Sequence, residues 1–486
     1  MSHWPVPIDT SSILPPPLVH QGRRWSRDEV ASLAGAWSRA LGPETLGSAR
    51  PVAMVMANRP EAVALLFALS SGRAPLILLP ADPRSWRTSP PIPPGTRLVL
   101  PATLAGLGRA AQSLGLRAVV LPEPADAPGT ALDGFMRLPG FVLFTSGSTG
   151  LPRPVYRTTA HVLQAAAATA LVAGYPGEGG AIATLPLDRA YGFNHCLLAP
   201  ALLGCPIALV ERFNHHVVLS LFASGEYHYW AGTPAMADLL SRCPLSGSHP
   251  APSRCMIGGR LSPRLYESFE GRFGVPVRGV YGVTEQGPVA QDADPAPAVR
   301  SATVGRALPG TRLCIGDDPR SPFAAGTPGR VWISSPWGLQ GYGFPPDLEP
   351  PELVDGWWPA PDIARLDATG RLMLDGRLDD VVRTAAGHLV NPGTIAAAVE
   401  AHPAVTEAAV VALESGSERV IALLAESPVG VTAGDLRAHL AGSLPPWCQP
   451  RVVETARELP RLPSGRVDRR ACIEILKLGL AGSGTS

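Results

Sequence analysis

The stretch "TSGSTGLPRPV", residues 145–155, follows directly on the apolar run "FVLFTS" at 141–146. Small and hydroxyl-bearing residues after a strand-like run, then a proline beside an arginine, admit two readings. One is a surface linker. The other is an anion cradle, because glycine lets the backbone approach a ligand closely, so that N–H groups and hydroxyls converge on a phosphate. The spacing is not G-x-x-x-x-G-K-[ST], so the nucleoside-triphosphatase P-loop does not apply.

Short apolar runs alternate with helical patterns on both sides of this stretch. Residues 51–58, 75–80, 117–122, 141–146, 182–186 and 206–210 read as buried strands. Residues 60–72 open on Pro60 and end at Gly72, which are helix start and stop signals. Helices are also expected over 160–172 and 233–240. This alternation predicts an α/β body with parallel or mixed sheets. Beyond about residue 300 short, turn-rich strands take over, and "GRLMLDGRLDDVV" (370–382) reads as a boundary. The remainder carries its own α+β pattern, with strands at 404–412 and 418–425 and a helix at 432–441. The expected division is a body over 1–376 and a small C-terminal domain over 377–486.

Composition narrows the partners. The 486 residues hold 41 Lys+Arg and 40 Asp+Glu, for a net charge of +1, with no long basic run, so nucleic acid is a poor candidate. The 51 Gly and 54 Pro make up about a fifth of the chain, short of the roughly 25–30% typical of disordered sequence. The first residues show no basic segment followed by an apolar one, and the longest apolar stretch, 197–210, is broken by Pro200, Gly204 and Pro206. Neither a secretory leader nor a membrane span is expected. Seven cysteines without a C-x-x-C spacing fit free thiols and a cytoplasmic location. His215-His216 has no third ligand nearby in sequence and reads as solvated surface; His161 reads as a helix-capping or core residue. Lys477 is the single lysine.

Further motifs follow the loop in order: "VYGVTEQG" (280–287), "VGRALPG" (304–310), "DGWWPAPDIARLDATG" (355–370), "DGRLDDVVRTAAGHLVNP" (375–392) and "LPRLPSGRVDRRA" (459–471). Together with the loop they resemble the adenylate-forming superfamily of acyl- and aryl-CoA ligases, nonribosomal-peptide adenylation domains and luciferases, over roughly residues 20–475. The resemblance implies a large α/β body with a mobile α+β C-terminal domain that alternates between two half-reactions. In the first a carboxylate and ATP give acyl-AMP and pyrophosphate; in the second a thiol displaces AMP.

The site residues follow from the resemblance. Thr145, Ser146, Gly147, Ser148, Thr149 and Gly150, with Arg153, would hold the phosphates. Tyr281 would stack on adenine, Thr284 would bond the α-phosphate and Glu285 would hold Mg²⁺ if ATP is used. Asp362 and Arg377 would reach the ribose, and Gly258, Gly259 and Arg260 would form the turn beside adenine and acyl group. Asp379 would be the hinge, and Gly387 would line the pantetheine tunnel for CoA. Arg189, Tyr191, Gly192, Phe193, Trp230, Gly232, Gly258 and Gly282 would build the acyl pocket, with core packing as the alternative for the rings. Such a pocket suits a bulky apolar or aryl acid.

The departures from the family's pattern concern charge. Arg466 stands where the family has lysine, and Arg153 replaces the loop lysine. Ala360-Pro361 precedes Asp362 in place of Thr-Gly, and Arg189 stands where an aromatic or histidine is usual. Arginine spreads its charge over a planar fork, whereas lysine carries a compact ammonium. The expectation is a ligase of secondary metabolism that joins acyl-AMP to CoA, with adenylation weak or lost and acyl-AMP supplied by a separate enzyme. The alternatives are a complete ATP-dependent ligase, in which arginine-for-lysine is compositional drift, and a non-catalytic AMP or acyl-AMP binding protein.

Overall fold

The computed structural model describes residues 13–88, 92–124, 137–145, 152–175, 179–243, 251–259, 261–293, 303–383, 389–415, 418–461 and 467–482. Two large sheets form the body. In the eight-stranded sheet, Leu76–Leu79, Val52–Val55, Arg97–Pro101 and Arg117–Leu121 run parallel, and Gly140–Phe144 joins them beside Leu76–Leu79. Every residue of Val52–Val55 and Leu76–Leu79 is buried, as expected of parallel strands covered on both faces. The nine-stranded sheet contains the parallel run Gly180–Ala183, Tyr227–Gly232, Arg254–Gly258 and Val277–Val283. An antiparallel return strand, Gly287–Gln291, pairs with Val277–Val283 and puts the "TEQ" of "YGVTEQG" at the tip of a hairpin.

The helices begin where the local chemistry stops other options. Pro60 occupies the first turn of Pro60–Ser70, where its missing N–H costs nothing. Thr158 caps Thr159–Ala173 by accepting from the His161 amide, and Gly174 ends that helix in the left-handed region at φ 58°. His161 also bonds Gly338 O through Nδ1 at 2.8 Å. His215 and His216 open the helix His215–Ala223 under an Asn214 cap, and His216 is exposed.

A four-stranded antiparallel sheet, Arg312–Ile315, Gly329–Ser334, Trp358–Leu366 and Leu372–Arg377, completes the body. The C-terminal part has its own three-stranded sheet, Glu407–Ser415, Glu418–Glu426 and Val452–Ala456, with helices Pro392–Glu400, Ala433–Ser443 and Arg469–Gly482. Its core takes in Val382 and Val390, whereas Arg377, expected to begin this domain, still pairs with Asp362 in the body sheet. The short turn Leu378–Asp380 is therefore where the two cores meet. Among the described residues, no helix is long and apolar enough to cross a membrane.

Candidate active site

A cleft of ≈ 2570 Å³ runs between the two large sheets and the C-terminal domain. At one end the strands Gly140–Phe144 and Pro154–Thr158 form a hairpin whose base is pinned by paired bonds. The Arg153 amide donates to Thr145 Oγ1 at 2.9 Å, and the Thr145 amide donates to Arg153 O at 3.0 Å. Ser146, Gly147, Ser148, Thr149 and Gly150 lie outside the described residues. The Arg153 guanidinium is already engaged: it pairs with Glu349 at 3.2 Å and stacks 3.8 Å above the Tyr342 ring.

The next group gathers the residues expected around the nucleotide. Tyr281 donates its phenol to Asp362 Oδ2 at 2.7 Å, and Arg377 lies 4.0 Å from Asp362 Oδ1. Burial and then the Asp362 carboxylate raise the Tyr281 phenol well above its ordinary pKa, so it stays a donor. Thr284 and Glu285 line the cleft beside them. Burial raises the Glu285 carboxyl, opposed by its own backbone N–H and by Arg153 and Arg377. One half-buried carboxylate at this position fits the way Mg²⁺ is held, by one or two carboxylates together with substrate phosphates. No group of three His, Cys, Asp or Glu that could hold a metal occurs among the described residues.

Only some of the expected acyl-pocket residues face this space. Tyr191 does: its ring lies over Gly258, and its phenol donates to Met256 O at 3.0 Å and Gly232 O at 3.3 Å. Gly192, Gly258, Gly259 and Gly282 also line the cleft. Gly259 needs glycine, since its φ is 105°. Arg189 sits on the wall with Nε 3.1 Å from the buried Asp188 and with Nη1 donating to Phe144 O at 3.4 Å.

Three of the pocket expectations are corrected. Trp230 is completely buried, stacks parallel on Phe269 with centroids 6.0 Å apart, and donates Nε1 to Thr184 Oγ1 at 3.0 Å. Phe193 packs edge-on against Phe141 at 5.1 Å. Gly232 lies against the Trp230 ring. All three belong to the core behind the cleft wall, where an aromatic gains most from burial.

Two buried polar residues of the cleft stand out among those that sequence reasoning did not single out. His195 is 3% exposed, and its Nδ1 shares a hydrogen bond of 2.7 Å with the Tyr229 phenol. Tyr175 stacks on Tyr229 at 3.9 Å and donates to His195 O. Burial pushes the His195 pKa down to about 3, so the ring is neutral. The other is Gln291, also 3% exposed, whose Oε1 and Nε2 have no hydrogen-bond partner among the described residues. For His195 the available signal was a polar residue next to the apolar run that follows it; Gln291, followed by Asp292 at the end of its strand, carried no such signal.

The C-terminal domain contributes Val467, Asp468, Arg469 and Arg470 to the cleft wall. Arg469 pairs with Asp380 at 2.9 Å beside the turn that joins the two parts, and donates to Val410 O at 3.1 Å. The Asp379 backbone belongs to that turn. Arg260, Gly387 and Arg466 lie outside the described residues.

A large cleft with a tyrosine–aspartate–arginine group at one end and a smaller second domain at its rim defines a class, and the sequence comparisons agree. The AMP-binding enzyme family model matches residues 137–343, and its C-terminal domain model matches 394–466. Together they span more than half of the chain, which belongs to the AMP-binding enzymes. Its relatives include the sulfoacetate–CoA ligase of Cupriavidus necator, 27% identical over 96% of this chain and 94% of that protein. The 2-succinylbenzoate–CoA ligase of Geobacillus kaustophilus is also 27% identical, over 93% of each chain. Among solved structures, ATP-bound MatB from Rhodopseudomonas palustris superposes with a TM-score of 0.80 at 19% identity, covering 96% of each chain, which shows the shared fold.

Proposed function

We propose that this enzyme is an acyl- or aryl-CoA ligase that works through an acyl-adenylate, with adenylation the weaker of its two half-reactions. The observation that carries the reading is the Tyr281–Asp362–Arg377 group at one end of a cleft whose other wall is Tyr191 over Gly258. The first end suits a nucleoside, because a fixed carboxylate accepts from two ribose hydroxyls at once. The second suits a bulky or aryl acyl group. The names of the relatives support the thiol being that of CoA.

In the first half-reaction a carboxylate oxygen attacks the α-phosphorus of ATP, and the bond to the β-phosphate oxygen breaks with loss of pyrophosphate. Thr284 would bond the α-phosphate, Glu285 would hold Mg²⁺ and the 145–150 loop would bind the outgoing phosphates. Mg²⁺, when bound, would neutralise charge on the phosphates. In the second half-reaction the thiolate of CoA attacks the acyl carbon and the acyl–oxygen bond breaks, releasing AMP. Rotation about Asp379 would bring Gly387 to the pantetheine path.

The halves make unequal demands. Adenylation brings two anions together and benefits from a compact cation between them. Arg466 offers a planar fork in place of an ammonium, and a displacement near 1 Å can cost ~100-fold. Arg153 is held by Glu349 and Tyr342. Thiol attack on a mixed anhydride needs no such cation. The relatives carry single-protein ligase names, which favours a complete reaction on this chain as the second reading and gives no reason to invoke a separate adenylating enzyme. Supplying acyl-AMP and CoA tests the core of the proposal: thioester and AMP should appear together, and no turnover with any acyl group would reduce the chain to a nucleotide-binding protein.

A further inference from the structure

Three residues lie in one row across the nine-stranded sheet. Gly258 pairs with Val280, and Val280 pairs with Gln291. Directly paired residues present their side chains to the same face of a sheet. On this face Tyr191 covers Gly258, and Val280 lines the cleft. Adjacent strands are ~4.8 Å apart, so Gln291 stands ~10 Å from Gly258, on the far side of Val280 from the Tyr191 ring. A flat acyl group lying on Val280 would have Tyr191 at one edge and Gln291 at the other.

Gln291 is unusual for a buried polar residue. It is 3% exposed and lines the cleft, yet neither end of its carboxamide is hydrogen-bonded among the described residues. Buried polar side chains nearly always have partners, and leaving one unpaired is costly. A purely apolar acyl group would leave that cost in place. A carboxamide offers one acceptor and two donors side by side. A hydroxyl or amino group on the ligand can satisfy both ends, since it donates to Oε1 and accepts from Nε2. A carboxylate or phosphate there would accept only, and would face Oε1 with negative charge. Arg189, a guanidinium lining the cleft, is committed to Asp188 and Phe144 O. His195 adds a second polar position in the cleft: Nδ1 is used by Tyr229, and Nε2 is the ring's remaining polar atom.

We infer that the acid is a planar, most naturally aryl, carboxylic acid bearing a neutral hydroxyl or amino substituent, which Gln291 recognises from across the pocket from Tyr191. This rests on the acyl-adenylate reading above and makes it specific. Gln291 is thereby a specificity residue, not a catalytic one.

Matched probes test it without requiring turnover. Aroyl-sulfamoyladenosines, stable mimics of the acyl-adenylate, would be prepared as pairs with a hydroxyl or amino group against a methyl group at each ring position. Binding to the full chain would be measured by calorimetry. At one ring position or more the polar member should bind at least ~10-fold tighter than its methyl partner, because a site built to hydrogen-bond a group discriminates strongly against its loss. Gln291→Leu, close in volume, should bring that pair within about 2-fold, while sulfamoyladenosine without an acyl group binds both proteins alike. Equal or tighter binding of the methyl member at every position in the unmodified protein would overturn the inference, whether or not the variant folds. A preference that survives unchanged in Gln291→Leu would overturn the role of Gln291. Probes that bind no better than bare sulfamoyladenosine would instead overturn the acyl-adenylate reading, and this inference with it.

Discussion

Replacing Gly258 by alanine adds one carbon where the proposed acyl pocket has no room beneath the Tyr191 ring. A Cβ there would lie 2.7 Å from Tyr191 Cε1 and 3.2 Å from Cδ1 and Cζ. Non-bonded carbons rest at about 3.5–4.0 Å, so the ring must retreat by roughly 1 Å. It is not free to do so without loss, since its phenol is tied to Met256 O and Gly232 O and its edge meets the His195 ring at 4.8 Å. Overpacking of this kind costs about 1–3 kcal/mol, and a weakened phenol bond adds ~0.5–1.5 kcal/mol. The tilted ring narrows the space above Val280. Gly258→Ala should therefore lower affinity for the bulkiest aroyl-sulfamoyladenosines by ~10-fold or more, with AMP affinity changed by less than about 2-fold. Combining it with Tyr191→Ala should remove the clash, so the two substitutions should be strongly non-additive in a double-mutant cycle. Calorimetry with AMP and a size series of probes provides the readout. An equal loss for AMP and every probe, or additive effects in the cycle, would refute the reasoning.

Two other substitutions separate nucleotide, pocket and core. Asp362→Ala should weaken AMP binding by about 1–3 kcal/mol through lost charge-assisted bonds, and an unaltered affinity by calorimetry would remove Asp362 from the ribose site. Trp230→Ala should cost ~3–5 kcal/mol of stability in denaturant unfolding, while the folded variant keeps the order of acyl preference. A changed preference at unchanged stability would return Trp230 to the pocket wall.

The strands of the body were legible because parallel strands buried on both faces must be continuous apolar runs; Leu76–Leu79 and Val52–Val55 are apolar throughout and buried throughout. The Tyr281–Asp362–Arg377 group was legible through motifs: the three residues come from separate motifs yet meet. The acyl end was not, because facing depends on pairing between strands. Trp230 and Phe193 lie near the right segments, but their rings turn into the core. Gln291 enters the pocket through its pairing with Val280, which nothing in its own neighbourhood announces. His195 sits next to an apolar run, and only the fold brings the Tyr229 phenol to it. Arg153 was read as a phosphate cation; its contacts with Glu349 and Tyr342 depend on residues almost two hundred positions away.

The unequal half-reactions are tested most directly by timing both on one preparation of the unmodified protein. One arm supplies a hydroxy- or amino-substituted aryl acid, ATP, Mg²⁺ and CoA and follows pyrophosphate. The other supplies the matching acyl-AMP and CoA and follows thioester and AMP. Thioester formation from acyl-AMP should outpace pyrophosphate release by ~100-fold or more, the scale of a misplaced cation at the reacting oxygens. Arg466→Ala should leave the faster arm within a few-fold. Pyrophosphate release that keeps pace with thioester formation would contradict the account and make this a complete ATP-dependent ligase.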